Sequence, residues 1–204
     1  MNKIITIGRQ YGSGGREIGE KLSQKLGIPF YDKEILTAAS RESGISEELF
    51  YQNDENNQGS LLYSLLMGNY SMGEGGKVYP DLPLNHKIFL AQFDAIKDIA
   101  QKGPCVIVGR CADYVLADRK DLVSVFICAD MGFKIGRLKE YNPDISEKKL
   151  EERIRKSDKK RSSYYTYFTD KKWGFAANYD LCIKSSFTGT DAAADIIADY
   201  LQRT

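Results

Sequence analysis

Three glycines within four positions, Gly12, Gly14 and Gly15, follow a short apolar, β-branched run at Lys3 to Ile7 and precede a segment in which Ile18, Leu22 and Leu26 recur every fourth residue. The order is strand, glycine loop, helix. Glycine tolerates positive φ and lets the backbone approach a ligand closely, and the N–H groups at a helix start carry partial positive charge. The loop therefore has the chemistry of a phosphate cradle, with Gly12, Ser13, Gly14, Gly15, Arg16 and Glu17 as the residues that would hold the phosphates. A turn that only reverses the chain does not require so many glycines, each of which costs conformational entropy. Two further groups carry matching chemistry. Arg110 follows an apolar run at Cys105 to Val108 and a glycine, which puts a guanidinium fork at the ligand edge of a sheet. Arg153, Arg155, Asp158 and Arg161 lie in a basic stretch, the last three spaced i, i+3, i+6 so as to follow a helix face. Asp32, just after a short extended piece at Pro29 to Tyr31, could orient a phosphate, hold Mg²⁺ through water or cap the next helix.

The glycine loop departs from both common nucleotide-binding patterns. Aligned on G-x-x-x-x-G-K-[ST], with Gly14 as the second glycine, Arg9 stands first, Gly15 replaces the lysine and Arg16 replaces the hydroxyl residue. Arg16 is accordingly the candidate for the missing cation, although a planar guanidinium on a longer stem sits differently from an ammonium. A solvated residue at a helix start is its bland alternative. The dinucleotide pattern G-x-G-x-x-G is absent, and Asp32 comes too early to be its ribose-binding acid.

These residues need a scaffold, and the rest of the chain supplies one. The 204 residues are 42% hydrophobic, enough for one domain with a sizeable core. Cys105 to Val108 and Leu122 to Cys128 read as strands covered on both faces, and Tyr179 to Ile183 as a last strand. Helices are expected at Glu34 to Ser43, along the face of Ile88, Phe89, Gln92, Phe93, Ile96, Ile99 and Ala100, at Gly132 to Tyr141, Ser146 to Lys160 and Asp191 to Leu201. Five strands separated by helices imply an α/β fold with a parallel sheet and right-handed crossovers. Between Gln52 and Leu84, Asn, Gln, Gly and Pro surround one short apolar helix at Leu61 to Met67, the mark of a mobile excursion. Lys plus Arg total 29 against 28 Asp plus Glu, so no global field points to nucleic acid or to a membrane surface. No run approaches the roughly 18 apolar residues of a membrane span, and no signal peptide opens the chain, which makes the cytoplasm the expected location. Cys105, Cys111, Cys128 and Cys182 form no CxxC pair and read as reduced core residues.

Read as one phrase, Ile7-Gly8-Arg9-Gln10-Tyr11-Gly12-Ser13-Gly14-Gly15-Arg16-Glu17-Ile18-Gly19 resembles the opening of the cytidylate kinase-like family, a branch of the nucleoside monophosphate kinases. Val108-Gly109-Arg110-Cys111-Ala112-Asp113-Tyr114-Val115-Leu116 resembles that family's G-R-D-I-G-T-V-V phrase, and Arg153 to Arg161 its arginine- and aspartate-rich lid. Tyr31-Asp32-Lys33 falls where the family carries an aspartate facing the acceptor nucleotide, and Asn178-Tyr179-Asp180-Leu181 closes the series.

The resemblance implies a P-loop kinase fold of three α/β/α layers with a five-stranded parallel sheet in one domain. Its core would comprise residues 1–44, 89–150 and 176–204, with a monophosphate-binding excursion at about 45–88 and a lid at about 150–175. It further implies transfer of the terminal phosphoryl group of ATP, with Mg²⁺, to CMP or dCMP. Arg16, Asp32, Arg110, Arg155, Asp158 and Arg161 would act on the reacting groups and Arg137 near the donor. No direct protein ligand to the metal is assigned. A nucleotide-binding protein without transferase activity, or a kinase of another small molecule, are the competing readings. Tyr164, Tyr165, Tyr167, Phe168 and Trp173 could pack the closed lid or stack on a base. Gln92 reads as an amide near the acceptor base or at the core edge, and His86, the single histidine, is given no role.

Overall fold

Apolar runs with no polar alternation cannot leave a face in water, so they must lie between two layers of helices. A computed structural model of the chain describes residues 3–53 and 82–203 and shows that arrangement. In chain order the elements are β1 (Ile4–Arg9), α1 (Gly15–Leu26), β2 (Phe30–Tyr31), α2 (Glu34–Ser43), α3 (Glu47–Asn53), α4 (Leu84–Gln101), β3 (Cys105–Val108) and α5 (Ala112–Val115). Then follow β4 (Leu122–Cys128), α6 (Met131–Tyr141), α7 (Glu147–Thr169), a 3₁₀ turn at Ala176–Asn178, β5 (Leu181–Lys184) and α8 (Ser185–Arg203). The five strands form one parallel sheet in the order β2-β3-β1-β4-β5.

The period-2 alternation of β1 divides the core. Ile5 and Ile7 turn toward Ile18 and Leu22 of α1 and Ala194 and Ile197 of α8. Ile4 turns the other way, toward Leu36 of α2 and Ile96 of α4. Register then positions the site: β3 ends at Val108 opposite Ile7, and β1 runs two residues further beside β4, to Arg9 opposite Ile127, so the loops after β1 and β3 emerge on the same edge of the sheet. Strand order reverses at β1, the place where a doubly wound sheet opens a ligand crevice.

Several expected boundaries shift. Helix α7 continues past Lys160 to Thr169, because Tyr164, Tyr165 and Phe168 extend its buried face after the charged residues end. Its start is capped by Ser146, whose hydroxyl accepts from the Lys149 N–H. The last strand begins at Leu181 because the Asp180 carboxylate accepts from the Ser124 N–H and hydroxyl, both at 2.8 Å, drawing the chain away from strand pairing. The expected last helix is the second part of α8, whose first turn is set off by Gly189 at φ 76°, ψ 177°. Helices α3 and α5 carry no periodic signal long enough to read. The expected excursion and its helix at Leu61 to Met67 lie mostly at 54–81, outside the described residues. The cysteine expectation needs correction: all four are free, but only Cys105 and Cys111 are buried, while Cys128 at the end of β4 is half-buried and Cys182 on the edge strand β5 is exposed. No described helix is long and apolar enough to cross a membrane.

Candidate functional site

Gly12 and Gly14 adopt φ of 78° and 80°, conformations that cost an ordinary L-residue about 1–2 kcal/mol, and Gly14 is the N-cap of α1. No side chain hydrogen-bonds as a cap there, so the first-turn N–H groups of α1 stay directed at the space before it. Ser13 is turned inward. Its hydroxyl donates to the Gln10 carbonyl at 2.8 Å and its carbonyl accepts from the Ser185 hydroxyl at 2.6 Å, which pins the loop to the start of α8.

In front of the loop lies a cleft of about 470 Å³ lined by Arg9, Gly12, Gly14, Gly15, Arg16, Glu17, Asp32, Arg110, Arg137 and Arg161. Asp32 is its hub. The Arg110 Nη1 donates to Asp32 Oδ1 at 2.9 Å, the Arg16 Nε donates to Oδ2 at 3.0 Å, and the Arg9 Nη2 stands 4.0 Å from Oδ1. Asp32 is 5% exposed and Arg110 2%, so this pair at the centre of the cluster is held out of water. The backbone after β3 takes positive φ at three successive residues, Gly109, Arg110 and Cys111. Non-glycine residues hold such angles at a cost of about 1–3 kcal/mol each, and here the strain aims the Arg110 side chain back across the sheet edge.

Helix α7 is fastened to the loop. Asp158 Oδ1 accepts from the Tyr11 N–H at 2.6 Å and Oδ2 from the ammonium of Lys134 at 3.1 Å. Lys134, on α6, is 4% exposed. Arg161 donates to the Arg9 carbonyl at 3.2 Å, and the guanidinium groups of Arg153 and Arg161 lie 5.6 and 5.7 Å from the centre of the Tyr11 ring. Arg155 does not join them: it forks onto Glu151 in solvent, its side chain 68% exposed. At 100° per residue the i and i+6 ends of the expected series lie about 120° apart around the helix, so Arg155 and Arg161 cannot share a face.

On the side of the cleft nearest α8, Glu17 accepts from Lys21 at 2.9 Å, Thr190 at 2.7 Å and Arg137. Burial alone would raise its carboxyl, but these donors hold it down at about 2. An unfolded glutamate titrates near about 4.3, so the folded form is the one that binds its proton less readily. This contribution to stability is complete above about pH 5 and is lost as pH falls through about 2. With the side chain 34% exposed, solvent screens much of it. Melting temperature followed from pH 5 to 2 should therefore fall less steeply in Glu17→Gln than in the unaltered protein; parallel curves would remove Glu17 from the acid response.

Tyr164, Tyr165 and Phe168 of α7, and Trp173 just after it, pack against the core, while Tyr167 is exposed. Phe168 stacks on Phe89 with centroids 4.0 Å apart, the Tyr164 hydroxyl donates to Gln92 Oε1 at 3.1 Å, and Trp173 meets the Phe126 ring edge-on. The Tyr167 hydroxyl lies 3.1 Å from His86 Nε2. Tyr165 donates to Asp113 at 2.6 Å; burial pushes the Asp113 carboxyl up and this bond pulls it down.

Comparison with known proteins assigns this architecture. The sequence model of the cytidylate kinase-like family matches residues 4–187. The chain belongs to the cytidylate kinase-like family. The crystal structure of an uncharacterized protein from Eubacterium ventriosum ATCC 27560 superposes with a TM-score of 0.71 at 29% identity, over 99% of both chains. Shikimate kinase from Bacteroides thetaiotaomicron gives 0.57 at 13% identity over 99% of both chains. Shikimate kinase from Acinetobacter baumannii in complex with shikimate gives 0.54 at 12%, over 100% of this chain and 94% of that one. No curated protein matches the chain. The fold is thus that of the P-loop kinases, and the family is one of phosphotransferases.

For a member of the cytidylate kinase-like family, the loop is poor in metal ligands. Among the described residues no group of three or more His, Cys, Asp or Glu could hold a metal ion, Arg16 fills the hydroxyl position, and Asp32 is engaged by arginines. This donor set does not fit a protein-built magnesium site. Nothing in the sequence marks Tyr11 and Lys134, which join Asp158 to the loop, and Arg9 stands out there only as a departure from the loop pattern. Lys134 gave no signal, because nothing in a helical segment marks one lysine as buried.

Proposed function

We propose that this member of the cytidylate kinase-like family transfers the terminal phosphoryl group of ATP to a nucleoside monophosphate, with CMP or dCMP as the acceptor that the family favours. The observation that carries this reading is one cleft lined both by the uncapped glycine loop and by the guanidinium groups of Arg16 and Arg110 set about Asp32, two groups suited to anions. The donor's phosphates would lie on the backbone N–H groups of Gly12 to Arg16, with Arg137 beside them. The acceptor's phosphate would lie against Arg110 and Arg16. An acceptor phosphate oxygen attacks the γ-phosphorus, its new P–O bond forming as the bond to the β–γ bridging oxygen breaks, and ADP leaves with that oxygen. Arginine side chains meet the negative charge on the transferring group, and positioning supplies the rest of the catalysis. Asp32 and Asp158 hold the arginines and the loop in place. Magnesium would enter with the nucleotide, bound by its phosphates and water.

Coupled detection of ADP release with ATP, Mg²⁺ and a panel of monophosphates tests this, with controls lacking acceptor and metal. Metal-dependent release with CMP or dCMP is expected. ATP binding without release on any acceptor would favour a binding protein, a reading that has its own motive in the replacement of both the lysine and the hydroxyl residue of the loop.

A further inference from the structure

Gly15 occupies the position of the loop lysine, and the structure explains why no side chain stands there. A Cβ added to Gly15 would lie 2.5 Å from Arg9 Cβ, 3.0 Å from Arg9 Cγ and 3.4 Å from Ile127 Cβ. Real Cβ atoms do not approach other carbons at 2.5 Å. Arg9 stands at the first position of the loop pattern, where the pattern asks for glycine. The chain has therefore exchanged the two: glycine where the cation belongs, and a cation where the glycine belongs, with the stem of Arg9 filling the space a lysine stem would need.

We propose that Arg9 supplies the phosphate-contacting cation of this loop, reaching the donor's β- and γ-phosphates from the end of β1 instead of from the start of α1. The inference rests on the nucleotide reading above. Three further observations support it. The Arg9 side chain is 11% exposed, so its stem is fixed by packing while it lines the loop cleft. Its guanidinium lies 4.0 Å from Asp32, a carboxylate placed to hold several arginines at once, and its carbonyl is held by Arg161. Arg16, the alternative, is 57% exposed and divides its guanidinium between Glu20 and Asp32 at the outer rim. Its side chain leaves α1 after the point from which the loop lysine projects.

An exchange experiment tests this. Arg9→Gly and Arg9→Gln are compared with the double variant Arg9→Gly/Gly15→Lys, which restores the ordinary arrangement. Nucleotide affinity is read by displacement of a fluorescent ATP analogue, turnover by ADP release and folding by thermal melting. Arg9→Gln keeps most of the stem, so it should melt within a few degrees of the unaltered protein yet lose about 100-fold or more in turnover, the scale for removing one charge-stabilising donor. The double variant should recover at least tenfold over Arg9→Gly. Turnover within threefold of normal in Arg9→Gln would overturn the proposal, and so would a folded double variant no better than Arg9→Gly. If the unaltered protein bound no ATP analogue, the nucleotide reading would fall first; normal binding with unimpaired Arg9 variants would remove only the role of Arg9.

Discussion

Asp32→Asn should melt roughly 10 °C below the unaltered protein and lose most of its turnover. The carboxylate accepts from Arg110 and Arg16 and lies near Arg9, at a place where both it and Arg110 are almost fully buried. Replacing it by the neutral amide leaves the Arg110 charge buried with less compensation. The new NH₂ group can also face a guanidinium N–H, donor against donor. Removing one member of a buried pair costs about 3–5 kcal/mol. For a chain of this length each kcal/mol is worth about 2–4 °C. The arginines would then repel one another, so the cleft loses its geometry as well as its stability. A bound anion can replace part of the missing charge. Inorganic phosphate at tens of millimolar should accordingly raise the melting temperature of Asp32→Asn more than that of the unaltered protein. Equal melting temperatures without phosphate would show that the cluster is not held by Asp32.

The second large effect belongs to Asp158. Asp158→Asn removes the only carboxylate hydrogen-bonded to Lys134 among the described contacts and weakens the acceptor of the Tyr11 N–H. Lys134 is buried against the loop, with its Cβ 3.1 Å from where a Cβ on Gly12 would sit, so its charge cannot simply swing into water. Asp158 itself is 19% exposed, which puts the cost at the lower end of the range for a broken buried pair, about 3 kcal/mol. The deciding measurement is a double-mutant cycle with Lys134→Met, which removes the charge and keeps the stem's volume. Asp158→Asn/Lys134→Met should recover most of the stability lost by Asp158→Asn alone. Additive losses would mean that the two side chains do not interact. Turnover should stay low in both variants, since neither holds the loop to α7 with a carboxylate.

The strands were legible because their chemistry is local. Cys105 to Val108 is apolar throughout and Leu122 to Cys128 is apolar but for Ser124, and a run that must be buried on both faces belongs in a parallel sheet wherever it lies in the chain. The end of α2 at Gly44 was legible too, since a glycine that accepts the left-handed conformation stops a helix by itself. The glycine loop was legible as the turn between β1 and α1, and the blocks around Arg110 and Arg153 to Arg161 pointed to the family whose model matches residues 4–187. Helix α7 was legible only as far as its charges ran. Its last turns are held by Phe89 and Phe93, more than seventy residues away, and no local spacing announces that contact.

The charge partners were decided by tertiary structure alone. Asp32, Arg9, Arg16 and Arg110 are brought to one point by the register of β1 with β3 and by the positive φ angles after β3. Asp158, Tyr11 and Lys134 meet because the fold brings α7, the loop after β1 and α6 together at one point. The same holds for Gly15 and Arg9: the sequence shows a missing lysine, but only the 2.5 Å approach across the loop shows what fills its place. Local propensity and apolar pattern act over a few residues, and so they leave a trace in the sequence. Coulombic pairing and steric exclusion depend on distances between segments that only the completed fold defines.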